Sequence, residues 1–172
     1  ALIRRGIPTL NAQWSPAATV LTGDFIFARA AKLAADTGSV DVMSLFAETL
    51  AIIVGGEINQ LFRSVGSANR ENYYKRIYAK TASLFETATT SAAMLSPVEK
   101  EVVTNLKHYG YEIGMAFQIL DDVLDFTGEQ SAVGKPIGSD LLNGLVTLPA
   151  IYYAEEHPND PDVLSLPDGG VT

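Results

Sequence analysis

Three aspartates, Asp121, Asp122 and Asp125, interrupt the apolar stretch "FQILDDVLDF" at residues 117–126. On a helix these three and Gln118 stand at steps of three and four, so they form one polar stripe, while Phe117, Leu120, Val123 and Leu124 cover the rest. A solvated helix face is the ordinary account of a charged stripe, and three features argue against it. Solvated faces mix Lys with Glu, which suit helix interiors, whereas Asp competes with the backbone and sits best near an N-terminus. These aspartates lie closer to the C-terminal end of their helix, where the dipole disfavours them. They also repel one another at i, i+1 and i+4. A cation between them would remove that strain. Oxygen donors without His or Cys point to a hard divalent ion, and Mg²⁺ takes one or two protein carboxylates with waters and substrate phosphates.

The metal therefore suggests a phosphate-bearing ligand, which needs local cations in an acidic chain of net charge −8 and pI near 4.6. Lys135 stands in "VGKPIGSD", between glycines that allow close backbone approach. Arg4 and Arg5 form a pair suited to bidentate phosphate contacts. Lys80 and Thr81 lie mid-helix in "YAKTASLF". The competing readings are a basic end for Arg4 and Arg5 and a snorkelling side chain for Lys80. Taken with the aspartate stripe, the cations favour a site for a phosphate-bearing ligand.

The elements that must position these residues read as helices almost throughout. Ser15 and Pro16 open a helix to about Asp36, stopped by Gly38. Leu, Ile, Phe and Ala recur at three- and four-residue steps from about Asp41 to Val65 and again from Asn69 to Met94. Ser96, Pro97 and Glu99 spell a capping box for a helix lasting to Thr127, roughly 45 Å long. A Gly- and Pro-containing loop follows, then a shorter helix from Ser139 that Pro149 interrupts or restarts. From Glu155 the chain reads as an exposed loop rich in Pro and Asp. There is no convincing strand and no internal repeat. The fold expected is all-α, a bundle of long helices forming a single domain over residues 1–172.

Composition excludes several classes. At 172 residues, with 47% hydrophobic residues and mean hydropathy +0.14, the chain is too apolar for disorder. It has no apolar run of the ~18 residues that span a bilayer. The acidic balance argues against a nucleic-acid or anionic-membrane surface. Zero cysteines exclude disulfides and thiolate metal sites, which fits a reducing, cytoplasmic setting.

In their order and spacing, "RRGIPTLNAQW", "LTGDFIFARA", "YAKTASLFETA", "FQILDDVLDFTG" and "GKPIGSDLLNGLVTLPAIYY" resemble the trans-isoprenyl diphosphate synthases, the polyprenyl synthetase family. The likeness runs from Arg4 to about Tyr153. It implies the isoprenoid synthase fold around a central cavity, and Mg²⁺-dependent head-to-tail condensation of isopentenyl diphosphate with an allylic prenyl diphosphate. By the same resemblance Asp121, Asp122 and Asp125 match the second aspartate-rich metal motif, with Asp121 the foremost ligand. Lys80 and Lys135 match lysines that hold the allylic diphosphate, and Arg4 and Arg5 match an arginine pair serving the two diphosphates. Thr81 and Gln118 line the reacting centre. Phe117 falls beside the homoallylic substrate, although a plain core phenylalanine explains it equally well. Asp24 and Asp140 take supporting positions, as do Glu57 and Gln60, and a homodimer is expected.

Against the family pattern, the first aspartate-rich motif should lie just before "RRG", and the helices that follow the last landmark are missing. The sequence thus reads as an internal fragment of a longer enzyme, and the isolated 172-residue polypeptide is expected to be inactive or severely impaired. Two other classes compete. A non-catalytic partner subunit would keep the bundle, but the intact "DDVLD", Lys80 and Lys135 weigh against it. A class I terpene cyclase shares the helices, but its second metal motif mixes Asn, Ser or Thr with an acid.

Overall fold

The computed structural model describes residues 2–4, 6–62, 69–128, 138–142 and 144–164. They divide between two compact units, Ala1–Ala47 and Glu48–Thr172. Helices dominate both, so the all-α expectation holds.

The first unit departs from expectation at its start. Ile3–Arg4 (β1) pairs antiparallel with Ile7–Pro8 (β2), and Gly6 between them adopts φ +74°, in the left-handed region that glycine enters without strain. Two-residue strands are too short for alternation to show in sequence. After α1 (Leu10–Gln13), the helix α2 (Pro16–Asp36) begins where its signals place it: the Ser15 hydroxyl oxygen accepts from the Ala18 N–H at 3.2 Å, with proline in the first turn. Gly38, at φ +70°, follows its end. The helix α3 (Val40–Phe62) then passes from the first unit into the second.

In the second unit, Asn69 caps α4 (Arg70–Ile77) by accepting from the Asn72 N–H at 2.8 Å. The expected single helix to Met94 contains a π-helical turn, Tyr78–Ala82, before α5 (Ser83–Met94). That turn carries Lys80 and Thr81, and such bulges are frequent at functional sites.

The capping box does not form. Ser96 instead donates its hydroxyl to the Ala92 carbonyl at 2.8 Å, and the Val98 N–H closes on the Ser96 carbonyl at 2.8 Å with Pro97 between them. Proline's restricted φ suits that three-residue turn. The helix α6 (Lys100–Thr127) therefore starts later, with Glu99 at its N-cap position but no side-chain cap bond. Its 28 residues run about 42 Å.

Two glycines on α6 set how closely it approaches α5 and the π-turn. A Cβ at Gly114 would lie 2.6 Å from Ala82 Cα, and one at Gly110 would lie 2.7 Å from the Phe85 carbonyl oxygen. After α7 (Ser139–Leu142), Pro149 sits in the first turn of α8 (Leu148–Glu156), so it restarts a helix. The tail expected as an exposed loop contains a last turn, α9 (Pro161–Leu164), whose Val163 is buried. Tyr73, Ile77, Ala82, Met115, Leu148 and Ile151 belong to one core, so α4, the π-turn, α6 and α8 share a single apolar centre. Among the described residues no helix is long and apolar enough to cross a membrane.

Candidate active site

The aspartate stripe exists on α6, but packing splits it. Asp121 is exposed, whereas Asp122 and Asp125 are 3% and 7% accessible. Three equivalent aspartates on one open face is therefore not what forms. The buried pair is held by groups far away in sequence. Asp122 accepts from the Tyr73 hydroxyl at 2.8 Å on one oxygen and from the Gln118 amide nitrogen at 2.9 Å on the other. Asp125 accepts from the Asp140 N–H at 3.1 Å, and its carbonyl accepts from the Gly138 N–H at 2.8 Å, tying α7 to the end of α6. These donors offset part of the strain that the bare sequence assigned to the stripe.

The chain of contacts continues to α6's neighbour. The Thr81 hydroxyl donates to Gln118 Oε1 at 2.7 Å, so the π-turn and the aspartate segment are joined directly. Lys80 is exposed beside it. Phe117 is 56% accessible, with its ring 5.5 Å from that of Phe85, so it is not a plain core residue.

Arg4 lies in β1, while Arg5 and Lys135 fall outside the described residues. Asp24 on α2 and Glu57 and Gln60 on α3 are exposed. Asp140 reaches the site through its backbone, as the donor to Asp125. An open groove of about 320 Å³ lies elsewhere, lined by Glu86, Thr104, Lys107, His108 and Tyr111, and includes none of the expected site residues.

Two functional candidates escaped the sequence reading, Tyr73 and Arg76. Tyr73 is buried and braces Asp122, while Arg76 donates to the Val146 carbonyl at 2.7 Å with its guanidinium 5.5 Å from the Tyr73 ring centroid. The segment "ENYYKRI" showed only a helix start. The signal available was Tyr73's place four residues before Ile77 on the same apolar face.

Electrostatics follow from burial. Desolvation pushes the Asp122 carboxyl above the usual range, opposed by the hydrogen bonds from Gln118 and Tyr73 and by the Arg76 charge. Burial and the bond to Asp122 likewise push the Tyr73 phenol up, so it remains a proton donor across the working range of pH. An aspartate raised on folding holds more protons in the native than in the unfolded state between its two pKa values, so its contribution falls as pH rises through the folded value. We expect the stability difference between wild type and Asp122→Asn, measured by metal-free urea unfolding, to shift against wild type as pH rises from about 4 towards neutrality. A difference moving in wild type's favour would contradict this placement of Asp122.

Among the described residues no group of three or more His, Cys, Asp or Glu converges as a complete metal cage. The donor set fits an ion that needs only one or two carboxylates. Asp121 offers an exposed one, whereas Asp122 already has a protein donor on each oxygen.

The polyprenyl synthetase model matches residues 1–166. Octaprenyl diphosphate synthase of Haemophilus influenzae is 40% identical over 158 residues, covering 91% of this chain and 48% of that protein. Among solved structures, heptaprenyl diphosphate synthase from Staphylococcus aureus superposes with TM-score 0.87 at 38% identity, over 92% of this chain and 50% of that one. Polyprenyl synthase from Caulobacter crescentus, complexed with calcium and isoprenyl diphosphate, gives TM-score 0.84 at 34% identity, over 96% of this chain and 52% of that one. The chain spans about half the length of the relatives it matches. With the all-α fold and the joined Thr81, Gln118 and aspartate segments, these matches show that the chain belongs to the polyprenyl synthetase family.

Proposed function

We propose that the protein is a trans-prenyltransferase that lengthens an allylic prenyl diphosphate by condensation with isopentenyl diphosphate. The observation that carries this reading is the Thr81–Gln118–Asp122 chain, which joins the lysine-bearing π-turn to the aspartate segment. A cation for the phosphate and carboxylates for a hard metal thereby belong to one site.

In this reading Asp121 is the principal Mg²⁺ ligand, with Asp125 beside it, and Asp122 contributes mainly by holding Gln118. Mg²⁺ bound there would neutralise diphosphate charge and so favour its departure from the allylic carbon. Lys80, Lys135, Arg4 and Arg5 bind diphosphate oxygens by charge-assisted hydrogen bonds. Thr81 and Gln118 line the reacting carbon with oxygen atoms, and Phe117 offers a ring face to positive charge developing nearby. Asp24 and Asp140 support the site from outside it. The assembly proposed is a homodimer and the setting cytoplasmic, in keeping with the absence of cysteine.

Isothermal titration of the full-length protein with an allylic prenyl diphosphate provides the test. We expect binding that requires Mg²⁺ and weakens at least tenfold in Lys80→Ala, the loss of about 1.4 kcal/mol being modest for a charged hydrogen bond. Equal affinity with and without the metal would remove the basis for the proposal.

A further inference from the structure

The Tyr73–Asp122–Gln118–Thr81 chain has a direction, and the direction is chemically informative. Ionised, a carboxylate only accepts hydrogen bonds, so the Gln118 end facing Asp122 is its NH₂ group, as the 2.9 Å contact records. The carbonyl end of the same amide then faces Thr81, and the Thr81 hydroxyl must donate to it, as the 2.7 Å contact records. A hydroxyl has one proton. Thr81 has therefore committed its only donor and has only oxygen lone pairs to offer any group beyond.

We infer that Tyr73 is a positioning residue: by anchoring Asp122 it fixes the orientation of the Gln118 amide and so makes Thr81 an obligate acceptor in the site. Three observations support this. Tyr73 is 1% accessible, so its ring has no freedom to swing away. Its hydroxyl and Gln118 hold the two different oxygens of Asp122, which fixes the carboxylate plane as well as its position. The Arg76 guanidinium, bonded to the Val146 carbonyl, lies 5.5 Å from the centroid of the same ring. An acceptor-only hydroxyl suits a centre where positive charge develops, whereas an outward O–H dipole would oppose that charge. The inference rests on the prenyl-transfer reading for what Thr81 faces, but the orientation itself follows from hydrogen-bond valence.

The test uses the full-length protein and two independent readouts. Side-chain amide NMR, with Gln118 assigned by its loss in Gln118→Ala, reports the orientation directly. Elongation kinetics report its consequence. In Tyr73→Phe the Gln118 amide resonances should shift, kcat should fall about tenfold, and the Mg²⁺ concentration for half-maximal rate should stay unchanged, because no ligand has been touched. Thr81→Val should be more severe, Thr81→Ser should restore most of the rate, and Tyr73→Phe combined with Thr81→Val should be no worse than Thr81→Val alone. If Tyr73→Phe does not fold, Asp122→Asn tests the same link, and its Gln118 resonances must move. Unmoved Gln118 resonances, or kinetic losses that simply multiply in the double variant, overturn the inference. A wild-type protein that elongates nothing sinks the prenyl-transfer reading instead, while the Gln118 resonances still decide the positioning role.

Discussion

Replacing Asp121 by alanine in the full-length protein is expected to lower kcat/KM for Mg²⁺-dependent elongation by about 10³-fold while leaving the helical circular-dichroism signal intact. The size follows from the several kcal/mol that a metal supplies at developing charge, since ~4 kcal/mol is three decades in rate. The intact fold follows from exposure. Asp121 has solvent around it, and substitutions at such positions shift stability by about ±0.5 kcal/mol. Asp122→Ala should behave differently. It would leave the buried Tyr73 hydroxyl and the Gln118 amide without their acceptor, so stability and rate should fall together. The contrast between neighbouring aspartates is the informative result. If Asp121→Ala retained wild-type activity, the metal role assigned to it would be wrong.

Gly114→Val is expected to be strongly destabilising. A Cβ there meets Ala82 Cα at 2.6 Å, Ala82 Cβ at 3.0 Å and Phe85 Cβ at 3.1 Å. None of these atoms is the end of a flexible side chain, so α6 must move away from the π-turn. Overpacking of this kind costs about 1–3 kcal/mol, and a β-branched residue stands at the upper end. At about 2–4 °C per kcal/mol for a chain of this size, melting should fall by roughly 6–12 °C by calorimetry. Activity should fall further than stability alone explains, because Gln118 lies one turn on from Gly114 and would lose its register with Thr81. Gly55→Ala supplies the contrast. A Cβ at Gly55 meets nothing within 4 Å, so the alanine should be neutral or stabilise α3 by up to about 1 kcal/mol. Equal melting of Gly114→Val and wild type would show that the close approach of these helices is not required.

The comparison of these sites shows which features sequence carries. Ser15, Pro16 and Asn69 act on groups within three residues, so their helix starts were legible from local chemistry. The aspartate stripe was legible for the same reason, being a property of one helix. Its division into an exposed Asp121 and buried Asp122 and Asp125 was not. That division depends on Tyr73, 49 residues away from Asp122, and on Asp140, 15 residues away from Asp125. The π-helical turn was hidden because a single inserted residue barely disturbs an apolar period, yet it sets the local geometry of Lys80 and Thr81. The capping box at Ser96 failed because its N–H already donates to the Ala93 carbonyl at 3.0 Å and its hydroxyl turns back to the Ala92 carbonyl at 2.8 Å, so the serine closes the preceding helix instead of opening the next. Long-range partners and local competition, rather than any weakness of the apolar pattern, account for what could not be read.

The central claim is that the aspartate segment and the lysine-bearing turn form one diphosphate site for prenyl elongation. Its most direct test is incorporation of labelled isopentenyl diphosphate by the full-length protein, with an allylic prenyl diphosphate as co-substrate, in the presence and absence of Mg²⁺. The account predicts longer prenyl diphosphates only when both substrates and the metal are present. Their absence under those conditions, or release of a cyclised hydrocarbon from the allylic substrate alone, would contradict it.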